Sequence, residues 1–175
     1  VRPRGILEET SRLKPRGSAG KITVTRTHDA TLVHELLTHP DIWDASTDDG
    51  TPPVDEFEPV MDDALFYLVP HADDLAMGIF LLLPKTSTTF EWHTGILKEY
   101  RGKHAIEAVE RGVEWMRDNA GALKLITWVE TDARNVYIFA KACGFNVEGT
   151  SRAAVMKHGQ LKDQYLMGRV LCQLQ

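Results

Sequence analysis

One stretch, Thr88 to Trp115 (TTFEWHTGILKEYRGKHAIEAVERGVEW), constrains the fold most, because its hydrophobic period changes part-way along. Phe90, Trp92 and Thr94 alternate with Glu91, His93 and Gly95, the period-two pattern of a strand with two different faces. Beyond the basic turn Arg101-Gly102-Lys103, residues Ile106, Val109, Val113 and Met116 form one stripe of an amphipathic helix that begins near His104. Glu107 and Arg111, four apart on its outer face, are expected to pair. A helix start leaves several N–H groups unpaired. Together with the helix dipole, Arg101 and Lys103, they suit a phosphate or pyrophosphate. The nucleotide-triphosphate P-loop does not fit: Gly95 and Gly102-Lys103 stand too far apart, and His104 follows the lysine where Ser or Thr would hold magnesium.

The flanking chain supplies more strands and helices. Lys21 to Arg26 alternates as a short strand, and Asp29 is placed to cap a helix carrying Leu32, Val33, Leu36 and Leu37, ended by His39-Pro40. Asp41 to Pro59 is acidic and turn-rich and is expected to be a long loop. Asp48-Asp49-Gly50 lacks the alternation and closing Glu of a calcium loop, so no metal is expected. Ala64 to Val69 and Ala76 to Leu83 are strands around a turn at residues 70–74. After the stop signal Asp118 to Gly121, Leu123 to Val129 is a further strand. Asp132 is expected to cap a helix over Val136, Phe139, Ala140 and Cys143 that stops at Gly144. Phe145 to Val147, Ala153 to Lys157 and Tyr165 to Val170 make a closing hairpin turning at His158-Gly159. Trp92, Trp115 and Trp128 read as core residues. Residues 1–20, rich in Arg and Lys, stand apart as a basic arm that docks on its own or another subunit, ahead of one domain over 21–175.

The 175 residues carry a net charge of −5, which argues against a general nucleic-acid binder. No apolar run approaches a membrane span and no signal-peptide pattern opens the chain, which starts on Val1 as a trimmed or renumbered sequence would. Cys143 and Cys172 have no metal or disulfide spacing, so both are expected reduced and the compartment cytoplasmic.

Two segments carry a resemblance to a known family. Glu91 followed by Tyr100-Arg101-Gly102-Lys103 resembles the fourth strand and cofactor turn of the GNAT (Gcn5-related) N-acetyltransferases. Phe139-Ala140-Lys141-Ala142-Cys143-Gly144-Phe145, then Glu148-Gly149, Arg152, Gly159 and Asp163, is similar to their C-terminal signature. Among them the chain is most similar to ribosomal-protein N-terminal acetyltransferases and phage-encoded relatives. The resemblance covers roughly Ile22 to Val170. It implies an α+β, three-layer fold, a mixed and mostly antiparallel sheet flanked by helices, with acetyl-CoA as cofactor. A phage origin would place the protein in host cytoplasm or virion.

The resemblance also implies site residues. The pyrophosphate would lie on the amides of Arg101, Gly102, Lys103, His104, Ala105 and Ile106, and the pantetheine arm would pair near Ile96 and Leu97 as an added strand. His104 and Ile106 stand where the family has Gly or Ala. Asn135 is the helix asparagine, displaced by two positions from Ala133, and Ala140 stands where a general-acid Tyr is common, leaving Tyr137 one turn earlier as substitute. Acetyl transfer to an amine needs a proton acceptor, a donor to the thioester carbonyl and a proton for the thiolate. Glu91 is the first base candidate, His93 beside it a second, and Glu130 at the end of the next strand a third. Arg152 and Asp163 are expected to pair or to line the acceptor groove. The expected function is an acetyl-CoA-dependent N-acetyltransferase acting on an amine of a protein or small molecule. The alternative is a catalytically weakened GNAT-fold protein serving in an assembly such as a phage particle, or a CoA-binding regulatory module, with oligomer or partner contacts through the arm. The acidic loop from Asp41 to Glu58 would attract a cationic acceptor.

Overall fold

The computed structural model describes residues 20–172, so all of the expected basic arm except Gly20 lies outside the described residues. The elements run β1 (Ile22–Thr27), α1 (Ala30–Leu37), α2 (Pro40–Ser46), β2 (Phe66–Ala72), β3 (Leu75–Ala76), β4 (Gly78–Pro84) and β5 (Thr89–Ile96). A 3-10 turn at Lys98–Tyr100 then leads into α3 (Lys103–Ala120), β6 (Lys124–Glu130), α4 (Arg134–Ala142), β7 (Asn146–Lys157) and β8 (Gln160–Val170). The strands form one sheet in the order β1-β2-β4-β5-β6-β8-β7, with β3 paired to β2. Only β5 and β6 run parallel; every other pair is antiparallel. Strand, α3, strand is the one crossover in which a helix must span the sheet between parallel neighbours.

Period-two alternation sorts the side chains onto two faces. Leu68, Phe80, Leu82, Phe90, Trp92 and Leu125 point to the face covered by α3 and α4, where they meet Ala108, Val109, Val113, Met116 and Ala140. Tyr67, Val69 and Ile79 point the other way, toward Val33 and Leu36 of α1. Gly112 lets α3 settle close to the sheet: a Cβ there would stand 2.6 Å from the Trp92 ring and 3.2 Å from Phe80. Arg169 of β8 ties the layers together. Its guanidinium donates to both carboxylate oxygens of Glu110, at 2.6 and 2.8 Å, and to the Cys143 carbonyl at 2.7 Å.

Asp29 caps α1 as expected, accepting from the Thr31 and Leu32 amides. Three local expectations need correction. Part of the presumed acidic loop is helix: Pro40 does not merely end α1 but occupies the first turn of α2, with His39 Nδ1 accepting from the Asp41 amide. Proline suits that position, because its missing N–H would have been unpaired there anyway. Arg111 pairs with Glu114 at 3.0 Å rather than with Glu107. Asp132 does not cap α4, whose N-cap is Ala133 with no side-chain bond; its carboxylate is taken instead by Lys162. No helix among the described residues is long and apolar enough to cross a membrane.

Candidate active site

The sheet is split at its centre. β5 and β6 pair at Thr89↔Lys124, Phe90↔Leu125 and Glu91↔Ile126 and then part, although β5 continues to Ile96 and β6 to Glu130. Each strand stays paired on its other side, β5 with β4 as far as Ile96 and β6 with β8 as far as Glu130. The opening is therefore a V within an intact sheet, with Glu91 at its vertex. One edge of each bank keeps backbone groups that no strand satisfies, and an extended ligand can use them as a neighbouring strand would.

At the open end of β5 the chain turns through Lys98–Tyr100 into α3. Gly102, at φ 87 and ψ −132, holds a conformation closed to residues with a Cβ, and that turn aims the start of the helix at the opening. Among the described residues no acceptor meets the amides of Gly102, Lys103, His104 and Ala105; the Ile106 amide donates back to the Gly102 carbonyl at 3.2 Å. The expected cradle over 101–106 thus narrows to residues 102–105. Ile106 packs its side chain against the core and His104 is half-buried. The Arg101 amide donates to the Lys98 carbonyl, and its guanidinium donates to the carbonyls of Ile96 (3.3 Å) and Asp41 (2.6 Å). Arg101 is a brace between β5 and α2. The Leu97 amide is likewise engaged, by the Met77 carbonyl at 2.9 Å, so the free edge of β5 toward the V ends at the Ile96 amide.

Glu91, His93 and Gly95 share the face toward α1 and α2, since Gly95 lies directly beneath Ile42. Glu91 is 9% exposed and is the one buried charged residue among those described. Its carboxylate bridges two cation-forming groups, His93 Nε2 at 2.9 Å and Lys85 Nζ at 2.8 Å. The His93 hydrogen bond is the largest influence on its ionisation. With help from Lys85 it outweighs burial and draws the carboxyl down from 4.5 to about 2. Lys85 sits in the turn between β4 and β5, and nothing in the local sequence pattern singles it out.

On the opposite bank, the register places Trp128 and Glu130 on the same face as Ile126 and Glu91. Trp128 is half-buried and belongs to neither hydrophobic cluster, which corrects its reading as core; Trp92 and Trp115 do pack in the core. Glu130 lies 3.8 Å from Lys157 Nζ. The tip of the β7–β8 hairpin then reaches across to α2 and the segment after it. The Asp49 carboxylate accepts from the amides of His158 and Gly159, Lys157 donates to the Asp44 carbonyl, and His158 meets the Asp44 carboxylate at 3.4 Å. The Gly159 amide above all, and that of His158, hold the Asp49 carboxyl below its ordinary range. These contacts form an arch from one bank of the V to the other.

Several expected partners are not gathered here. Tyr137 packs on the α3–α4 face against Tyr165, ring centroids 5.7 Å apart, on the far side of the sheet from Glu91 and His93. Asn135 is exposed near the start of α4. Arg152 and Asp163 do not pair: Asp163 accepts from the Ala153 amide, and no partner meets Arg152 among the described residues.

No protein-family model matches the sequence, and no curated protein matches it. Solved structures do match. A spermidine N-acetyltransferase from Vibrio cholerae in complex with CoA and spermine superposes with a TM-score of 0.68 at 19% identity, over 85% of this chain and 95% of that one. A chimera of the Vibrio cholerae enzyme SpeG and hSSAT gives 0.69 at 18% identity over 85% and 95%. The chain has the GNAT acyltransferase fold. A dodecameric spermidine N-acetyltransferase from Vibrio cholerae in an intermediate state, at 0.66 and 19% identity over 85% and 93%, shares it.

Proposed function

We propose that this GNAT-fold chain is an acetyl-CoA-dependent N-acetyltransferase acting on an amine, with a slender small-molecule amine favoured as acceptor. The observation that carries the reading is the V itself, opening beside four amides at the start of α3 that meet no acceptor among the described residues. The residues present fit the cosubstrate: the Gly102–Ala105 amides and the positive end of α3 suit a diphosphate, and the free edge of β5 suits an extended amide-bearing arm. Acetyl-CoA supplies an activated acetyl thioester.

The chain's own groups orient the acceptor, take its proton and exclude water. Glu91 and His93 stand at the vertex, where the acceptor nitrogen would approach from the α1–α2 face. Trp128 and Glu130 form the facing wall, and the Asp49–Gly159 arch limits what can enter. The spermidine N-acetyltransferases among the structural neighbours support a small amine. The sequence resemblance to ribosomal-protein N-terminal acetyltransferases makes a peptide N-terminus the second acceptor to assay.

Calorimetric titration with acetyl-CoA, followed by free-thiol release with spermidine and with an N-terminal peptide, tests the reading. Binding with thiol release is expected. Binding without release from any amine would leave a CoA-binding module, and no binding would leave only the architecture.

A further inference from the structure

Glu91 is the residue that a fourth-strand alignment offers as base, yet its surroundings suit it to another task. Both oxygens are engaged, Oε1 by His93 and Oε2 by Lys85, and the side chain is only 12% exposed. A carboxylate held between two donors has little reason to take up a proton. His93 is different, with about half of its side chain open to solvent (48%) on the acceptor face of the V. Its Nε2 faces an ionised carboxylate, so in the neutral ring that nitrogen carries the hydrogen and Nδ1 keeps the lone pair. Among the described residues Nδ1 meets no partner.

Resting on the acetyltransferase reading above, we propose that His93 Nδ1 is the proton acceptor of the transfer, and that Glu91 and Lys85 act through it as positioning residues. The acceptor nitrogen forms the C–N bond to the acetyl carbon as the C–S bond breaks and its electron pair leaves with sulfur. The nitrogen's surplus proton passes to Nδ1 and from there restores the thiol, so the enzyme ends unchanged. Lys85 keeps Glu91 ionised and single in orientation. Glu91 in turn fixes the ring tautomer.

Charge signs make this arrangement separable from a merely structural cluster. Loss of the carboxylate makes the imidazolium less favourable, and loss of the lysine cation makes it more favourable. The other ionisable groups near this face, Glu130 on β6 with Lys157 beside it, Asp41 and Asp44 on α2 and His158 at the hairpin tip, stay constant across the series. With spermidine as acceptor, His93→Gln is expected to lower kcat about 100-fold with little change in the acetyl-CoA KM. Glu91→Gln should move the acid limb of the kcat/KM profile to lower pH, Lys85→Met should move it to higher pH, and Lys85→Arg should restore the wild-type profile. Nitrogen-15 NMR of histidine-labelled protein should show neutral His93 protonated at Nε2, a readout independent of turnover. If kcat survives His93→Gln within about threefold, or the two shifts share one sign, this assignment is wrong while the acetyltransferase reading stands. A wild-type chain that acetylates no amine overturns both.

Discussion

Asp49 and Gly159, 110 residues apart in the chain, are joined by a 2.7 Å hydrogen bond from the Gly159 amide to the Asp49 carboxylate. The adjacent amide of His158 reaches the same carboxylate at 2.8 Å, and the Asp49 amide returns a bond to the Met156 carbonyl at 3.0 Å. This link joins the two banks of the V on the face toward α2. Asp49→Ala should therefore widen access without disturbing the core. The kcat/KM ratio of a tetrapeptide N-terminus to spermidine is expected to rise about tenfold, a shift of order 1.4 kcal/mol in discrimination. Amide exchange at His158 and Gly159 should quicken in parallel. An unchanged ratio alongside faster exchange would show that the arch does not select the acceptor.

Gly112 tests how closely α3 sits on the sheet. Alanine there improves helix propensity by about 1 kcal/mol. It also places a Cβ within 2.6 Å of the Trp92 ring and 3.2 Å of Phe80, two large and fully buried side chains. Overpacking of that kind costs roughly 1–3 kcal/mol, so the clash should win. Urea unfolding of Gly112→Ala should show a lower midpoint than wild type; a higher one would mean the helix can lift.

Acid should weaken the protein partly through Glu91. Its folded-state pKa of about 2 lies below the ordinary 4.5, so the unfolded chain binds this proton first as pH falls. The associated stability is complete above about pH 4.5 and drains away between there and about pH 2, amounting to at most about 3 kcal/mol. In urea titrations the gap between wild type and Glu91→Gln should be widest near pH 6 and close toward pH 2.5. A gap that stays constant would mean that the variant's cost comes from packing alone.

Trp128 lies outside both hydrophobic clusters but on the same sheet face as Glu91 and His93. Trp128→Ala should thus cost less stability than the roughly 3–5 kcal/mol of a core tryptophan. If a cationic acceptor rests against the ring, the spermidine KM should rise by about 2- to 30-fold, while acetyl-CoA affinity holds. A loss of cofactor binding instead would place Trp128 on the other ligand.

Much of this architecture is legible in the sequence because its signals are local. The change of period around Arg101-Gly102-Lys103 marks the strand-to-helix crossover, and Asp29, Gly121 and Gly144 mark helix ends by capping chemistry that acts within a few residues. The errors share a cause. Pro40 stops one helix and starts another, and only packing of Ile42 onto Gly95 shows which role dominates. Asp132 has an N-cap's residue type, but Lys162, thirty residues on, captures it. Arg101 looks like a phosphate ligand until the Asp41 carbonyl is seen to occupy it. The acceptor face is harder still. Glu91 and His93 are visible as neighbours on one strand, whereas Lys85 joins them through the β4–β5 turn and the arch depends on partners more than a hundred residues away.

The span between Asp49 and Gly159 also bears on how the molecule is assembled. Contacts between distant parts of a chain must overcome loop-closure entropy before they return any stabilisation, and they form late for that reason. The β4–β5 and β7–β8 hairpins close locally, whereas the span waits until both halves of the sheet have met. In pulse-labelling during refolding, the His158 and Gly159 amides should be among the last to gain protection, so the molecule passes through a stage with a nearly finished sheet and an unroofed groove.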